Sequence, residues 1–171
     1  SLMVLWLLYR CIQLRFPELK SIASWLTILI YTSTTLLMYN TVTLGLSHHY
    51  SFFLFGLFAY LILRFKESEK RKFVIGVGLT LGLIVLVRPT NLLVILAIPL
   101  LFDNWNALKR TFATLFANKA QLFLMALGGF LIVVFLQFLL WKWQSGHWIT
   151  WSYSGEGFNF LHPAFLETLL G

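Results

Sequence analysis

The way basic residues are dealt out between apolar runs constrains this chain more than any other feature. Eleven of its 13 Lys and Arg residues fall in three polar breaks. These breaks hold Arg10, Arg15 and Lys20; then Arg64, Lys66, Lys70, Arg71 and Lys72; then Lys109, Arg110 and Lys119. The alternate breaks carry only Arg88 and Lys142. Cytoplasmic loops of membrane proteins concentrate Lys and Arg, so the alternation predicts both membrane-crossing helices and their orientation. Loops 10–20, 66–72 and 103–120 come out cytoplasmic, and 40–50, 88–91 and 144–171 come out on the opposite side. With 59% hydrophobic and 11% charged residues and a mean hydropathy of +0.81, the chain is more apolar than a soluble domain needs to be.

The expected fold is therefore all-α: a polytopic transmembrane helical bundle forming a single transmembrane domain over 1–171. It consists of a partial N-terminal helix, about five further membrane helices of which one pair is short, and an inner amphipathic helix. The expected membrane helices are 1–9, 22–39, 48–65, 73–87, 91–102 and 121–143, followed by an outer tail, 144–171. The first apolar run, Leu2 to Leu8, has no basic region before it and no small-residue cleavage site, so it reads as the tail of a membrane helix and not as a signal peptide. The chain thus reads as a fragment of a longer protein.

The net charge of +7 would point to nucleic acid in a soluble protein. Here membrane topology accounts for it, and no basic stripe has an aromatic platform beside it. The expected partner is the lipid bilayer, with the basic loops against anionic lipids, and no nucleic acid. Cys11, the one cysteine, excludes an internal disulfide and a Cys-based metal site. No metal site, P-loop or Ser-His-Asp set is expected, and no cofactor.

Several segments carry more specific expectations. The run from Phe73 to Phe102 could be one kinked helix or two short ones. Pro89 removes a backbone donor and disfavours helix at Arg88, and a single crossing would place basic loop 103–120 outside. Two short helices turning at Arg88-Pro89-Thr90-Asn91 are expected, each below the roughly 20 residues that span a bilayer. They tilt, thin the bilayer or sit against a cavity. In 103–120, Trp105, Leu108, Phe112, Leu115 and Phe116 recur at helical spacing opposite the charges, the pattern of an interfacial helix. The hydroxyls of Thr32 to Thr35 can bond back to their own helix, and Gly128-Gly129 permits close helix approach.

Chemistry is expected first at Arg88, Thr90 and Asn91. Thr90 or Asn91 can cap the helix after Pro89, and its N-terminal N–H groups with the Arg88 guanidinium would make a phosphate site. The alternative is an interfacial arginine reaching toward headgroups. His48 and His49, at the start of the helix after loop 40–50, could hydrogen-bond a sugar or pyrophosphate or move a proton; equally, they could anchor the helix at the interface. Adjacent histidines diverge on a helix and are poor joint metal ligands. Glu156, flanked by glycines and near aromatic residues, suits sugar binding or is simply solvated.

The stretch Ser47-His48-His49-Tyr50-Ser51-Phe52-Phe53-Leu54-Phe55, followed by Arg88-Pro89-Thr90-Asn91, resembles bacterial GT-C-type membrane glycosyltransferases, relatives of the protein O-mannosyltransferases and the aminoarabinose transferase of lipid A. Gly146-His147-Trp148 and Tyr153 to Pro163 are similar to the same group. The resemblance implies an integral enzyme of the bacterial inner membrane. Such an enzyme transfers a sugar from a polyprenyl-phosphate donor at the periplasmic face, with an Asp or Glu base on a loop expected upstream of this chain. It leaves any need for a divalent metal open. A transporter or flippase with broken helices and a non-catalytic membrane scaffold are the alternatives. Against transport, no charged residue lies deep within an expected span.

Overall fold

A computed structural model of the 171-residue chain describes residues 2–34, 37–38, 47–117 and 120–150. It divides into two compact units, 1–137 and 138–171.

The first unit is helical throughout its described residues. Helix α1 (Leu2–Arg15) is followed by a short 3-10 turn at Pro17–Leu19 and by α2 (Ala23–Ser33). Helices α3 (Ser47–Ser68) and α4 (Arg71–Val87) come next, then a 3-10 helix at Pro89–Leu101, α5 (Trp105–Ala117) and α6 (Ala120–Ser145). The last of these enters the second unit. Helix α3 is central: α1, α4 and the 3-10 helix all pack on it. Its buried Ser51, Leu54, Phe58, Ile62 and Phe65 recur every three or four positions and so line one face. Leu54, Phe58 and Ile62 meet Ile84 of α4, Phe102 and Leu108, while Phe65 meets Val74 and Leu122. Helix α1 lies on another side of α3, with Leu7 against Gly56 and Trp6 stacked obliquely on Tyr60, ring centroids 5.5 Å apart.

The bundle of about six membrane-spanning helices expected from the charge pattern is not what forms. Among the described residues, only Leu122–Ser145 is a single helix long and apolar enough to cross a membrane. A second candidate exists only if Pro89–Leu101 and Trp105–Thr111, bent by 115°, count as one broken span. The physical reason is interruption. Helix α2 has 11 residues and ends at Thr34, whose backbone is extended. Near that end Thr32 donates to Ile28 O at 2.9 Å and Thr34 to Ile30 O at 2.8 Å, hydroxyl bonds back onto their own helix. Helix α4 stops after 17 residues at Pro89, about 25 Å of α-helix at 1.5 Å per residue. Helix α3 is longer, but it carries Arg64, Lys66 and Glu67 in its last turns.

The Leu122–Ser145 segment differs from a soluble core helix because only 17% of its apolar window is buried. Leu131, Ile132, Phe135 and Leu136 are all exposed, an apolar surface of the kind that meets lipid or a partner. In the second unit this helix ends at Gly146 (φ +75°), whose N–H bonds Lys142 O at 3.1 Å. The Lys142 ammonium donates to Gly146 O at 2.7 Å and lies 5.8 Å from the Trp148 ring centroid. A cation and aromatics at a helix end are the usual furniture of a membrane interface.

Candidate functional site

The chain reverses at Arg88. Pro89 has no N–H and pushes the preceding residue out of helical geometry, and Arg88 is extended at φ −156°, ψ 125°. Its N–H still closes α4 on Ile84 O at 3.2 Å, and its carbonyl accepts the Asn91 N–H at 2.9 Å to open the 3-10 helix. That helix has no side-chain cap at its start, where Thr90 or Asn91 was expected to supply one. Asn91 is instead used across the fold. Its Nδ2 donates to Ser51 Oγ at 2.9 Å, so the first turns of α3 and the Arg88 turn share one end of the first unit.

Around that contact the expected residues are distributed unequally. Thr90 is exposed, while Arg88 and Asn91 are half-buried. The Arg88 guanidinium has no ion-pair or hydrogen-bond partner among the described residues. His48 and His49 lie on the first turn of α3, three and two residues before Ser51, and their side chains fall outside the described residues. Glu156 lies outside the described residues altogether. No group of three His, Cys, Asp or Glu residues able to hold a metal ion occurs among the described residues. The Arg88 end therefore offers one fixed cation, an amide and hydroxyl pair, and an exposed threonine: a set suited to an anion with hydroxyl-bearing substituents.

The opposite end of the same helices carries a cluster that the sequence reading did not single out. Asp103, just past the 3-10 helix, bridges Arg15 Nη1 at 2.7 Å and Lys66 Nζ at 2.5 Å. Arg15 also donates to Leu100 O and Phe102 O, each at 3.0 Å, satisfying carbonyls that a helix C-terminus leaves open. Next to it, Asn104 Oδ1 accepts the Ala107 N–H at 2.8 Å, the cap that starts α5. The Lys66 hydrogen bond, followed by the charges of Lys66 and Arg15, outweighs desolvation and holds the Asp103 carboxyl below its ordinary value. A usable signal was present in the sequence. Asp103 is the one acid between Glu69 and Glu156, set beside a break otherwise basic.

Three of the basic segments thus meet at one end of the unit, through Arg15, Lys66 and the residues flanking Asp103. No protein family, no curated protein and no solved structure matches the chain.

Proposed function

We propose that this chain is part of a membrane-associated transferase that takes a sugar from a polyprenyl-phosphate donor, with the Arg88 end holding the donor phosphate. The observation that carries the reading is the Asn91–Ser51 hydrogen bond of 2.9 Å. It joins two of the segments that carry the glycosyltransferase resemblance, 47–55 and 88–91, beside a guanidinium with no described partner. In this reading an acceptor hydroxyl or amine attacks the anomeric carbon, and the lipid phosphate departs with the bonding electrons. Arg88 stabilises the charge that develops on the phosphate, Thr90 and Asn91 orient it, and His48 and His49 are candidates for the sugar's hydroxyls. The exposed apolar face of α6 supports placing this chemistry at a membrane, with the bacterial inner membrane as the proposed compartment and its periplasmic face as the proposed side.

The test uses the natural full-length protein. Arg88→Ala lowers transfer by about tenfold to more than a hundredfold, the rate equivalent of one charge-assisted contact made in the transition state. Arg88→Lys recovers only part of this, because an ammonium supplies charge without the planar two-donor fork. An arginine that merely reaches for headgroups would be replaced by lysine without loss. Equal turnover of all three proteins at matched expression refutes the phosphate site.

A further inference from the structure

Two cavities adjoin at the Asp103 end, and they differ sharply in character. One, of about 180 Å³, is walled by apolar side chains, among them Ile62, Val74, Val77, Ile98, Phe102 and Leu122. The other, of about 190 Å³, is polar and bounded by Lys66, Glu69 and Arg110. Phe65 and Thr111 line both. The Thr111 hydroxyl is turned back onto Ala107 O at 3.1 Å, so its polar atom is already engaged within its own helix. For scale, an apolar cavity of about 150 Å³ stays dry and takes up benzene, so the first chamber has room for the end of an alkyl chain. The second is bounded by the cations Lys66 and Arg110 and the acid Glu69, and Lys66 shares Asp103 with Arg15, so the three cations of this cluster outnumber its two carboxylates.

From this pairing we infer an anionic phospholipid site. One acyl chain ends in the apolar chamber, and the headgroup phosphate rests at the Lys66–Arg110 pocket. Charge complementarity selects the occupant. A neutral hydrocarbon would leave the cationic pocket unused, a free anion would leave the apolar chamber unfilled, and a zwitterionic lipid brings no net charge to the excess of cations. The site lies at the other end of the helices from Arg88 and does not depend on the transferase reading.

The experiment places the full chain in nanodiscs of equal parts phosphatidylglycerol and phosphatidylcholine and identifies retained lipid by native mass spectrometry. One phosphatidylglycerol is retained in about tenfold preference over phosphatidylcholine, as expected for a charge-assisted contact. Val77→Phe, which fills the chamber, removes the retained lipid. Arg110→Gln erases the preference while leaving lipid retention, and added inorganic phosphate does not displace the lipid. If Val77→Phe does not fold, Ile98→Phe fills the same chamber from the 3-10 helix. Equal retention of the two lipids, displacement by inorganic phosphate, or retention unchanged in the folded chamber-filling variant each overturns the site.

Discussion

Glu69 takes a φ of 50°, and no other described residue except Gly146 has a positive φ. Both residues close a helix in the same way. The Glu69 N–H bonds Phe65 O at 2.8 Å and the Gly146 N–H bonds Lys142 O at 3.1 Å, each a single bond from the first left-handed residue back to the last turn. Glycine adopts this geometry freely, whereas a side chain pays about 1–2 kcal/mol for it, offset partly by glycine's greater entropy loss on folding. Glu69→Gly should therefore stabilise the protein by a few tenths to about 1 kcal/mol, and Glu69→Val should destabilise it, because a β-branched residue is least tolerant of positive φ. Thermal unfolding of the purified variants followed by circular dichroism measures both signs. Gly146 follows a polar break and reads as a stop signal in the sequence. Glu69 reads as one more charge in a solvated turn, and its backbone state is set by where α4 must begin.

Helix α4 and helix α6 approach each other through glycines, and which glycines matter is a property of the pair. A Cβ at Gly78 would overlap the Ala126 backbone carbonyl, and one at Gly82 would lie 2.8 Å from Val133 Cβ and 3.1 Å from Phe130 O. From the other side, a Cβ at Gly129 would sit 3.0 Å from Ile75 O and 3.1 Å from Leu79 N. Gly78 and Gly82 are four apart, the spacing that lets two helices in an apolar setting pack backbone to backbone. Gly128 has nothing within 4 Å of its added Cβ. Gly128→Ala should thus be neutral or stabilising by roughly 0.5–1 kcal/mol through helix propensity alone. Gly78→Ala should cost at least the roughly 1–3 kcal/mol of an overpacked contact, since a carbonyl cannot swing aside like a side chain. Unfolding midpoints of the two single variants decide this; comparable effects would mean that the helices do not meet there. The Gly128-Gly129 pair advertises close approach in the sequence, but only Gly129 faces the partner, and the Gly78–Gly82 spacing is an equally visible signal that was passed over.

At the scale of the whole first unit, Asp103 ties α1, α3 and the end of the 3-10 helix together through Arg15 and Lys66. Its carboxyl is held below the ordinary value, chiefly by the Lys66 hydrogen bond. A carboxylate whose folded pKa is depressed contributes stability that is complete above the unfolded value, near 3.9. That contribution is lost as pH falls through the lower folded value. Acid should therefore weaken this end of the unit below about pH 4. Because the Asp103 side chain is 54% exposed, the effect should be modest and reduced by salt. Asp103→Asn should flatten the acid limb and remove its salt sensitivity, read from unfolding midpoints across pH at low and high ionic strength. An acid limb identical in the variant would show that the bridge contributes nothing to stability. Arg15→Lys should be less well tolerated than its charge suggests, since it forfeits the two carbonyl contacts at Leu100 and Phe102.

Helix as the only regular structure among the described residues, the break at Pro89 and the apolar character of 121–143 were legible in the sequence, because each follows from local chemistry: side-chain polarity, proline geometry and hydrophobic runs. The division of labour at the Arg88 turn was not. The tetrapeptide shows a proline and three polar groups, but that Asn91 reaches Ser51, forty positions away, and does not cap its own helix is settled by α3 and the 3-10 helix lying side by side. The number of spans also escaped local reading. Charge alternation counts polar breaks but does not measure how far each apolar run continues as unbroken helix. That length is cut at Thr34, where the backbone turns extended, and at Pro89, and it decides which segment can cross a bilayer. The Asp103 bridge is likewise a tertiary product. Long-range ion pairs depend on which helix ends converge, and here the Asp103 carboxylate and the carbonyls of a helix end accept from cations of two basic segments.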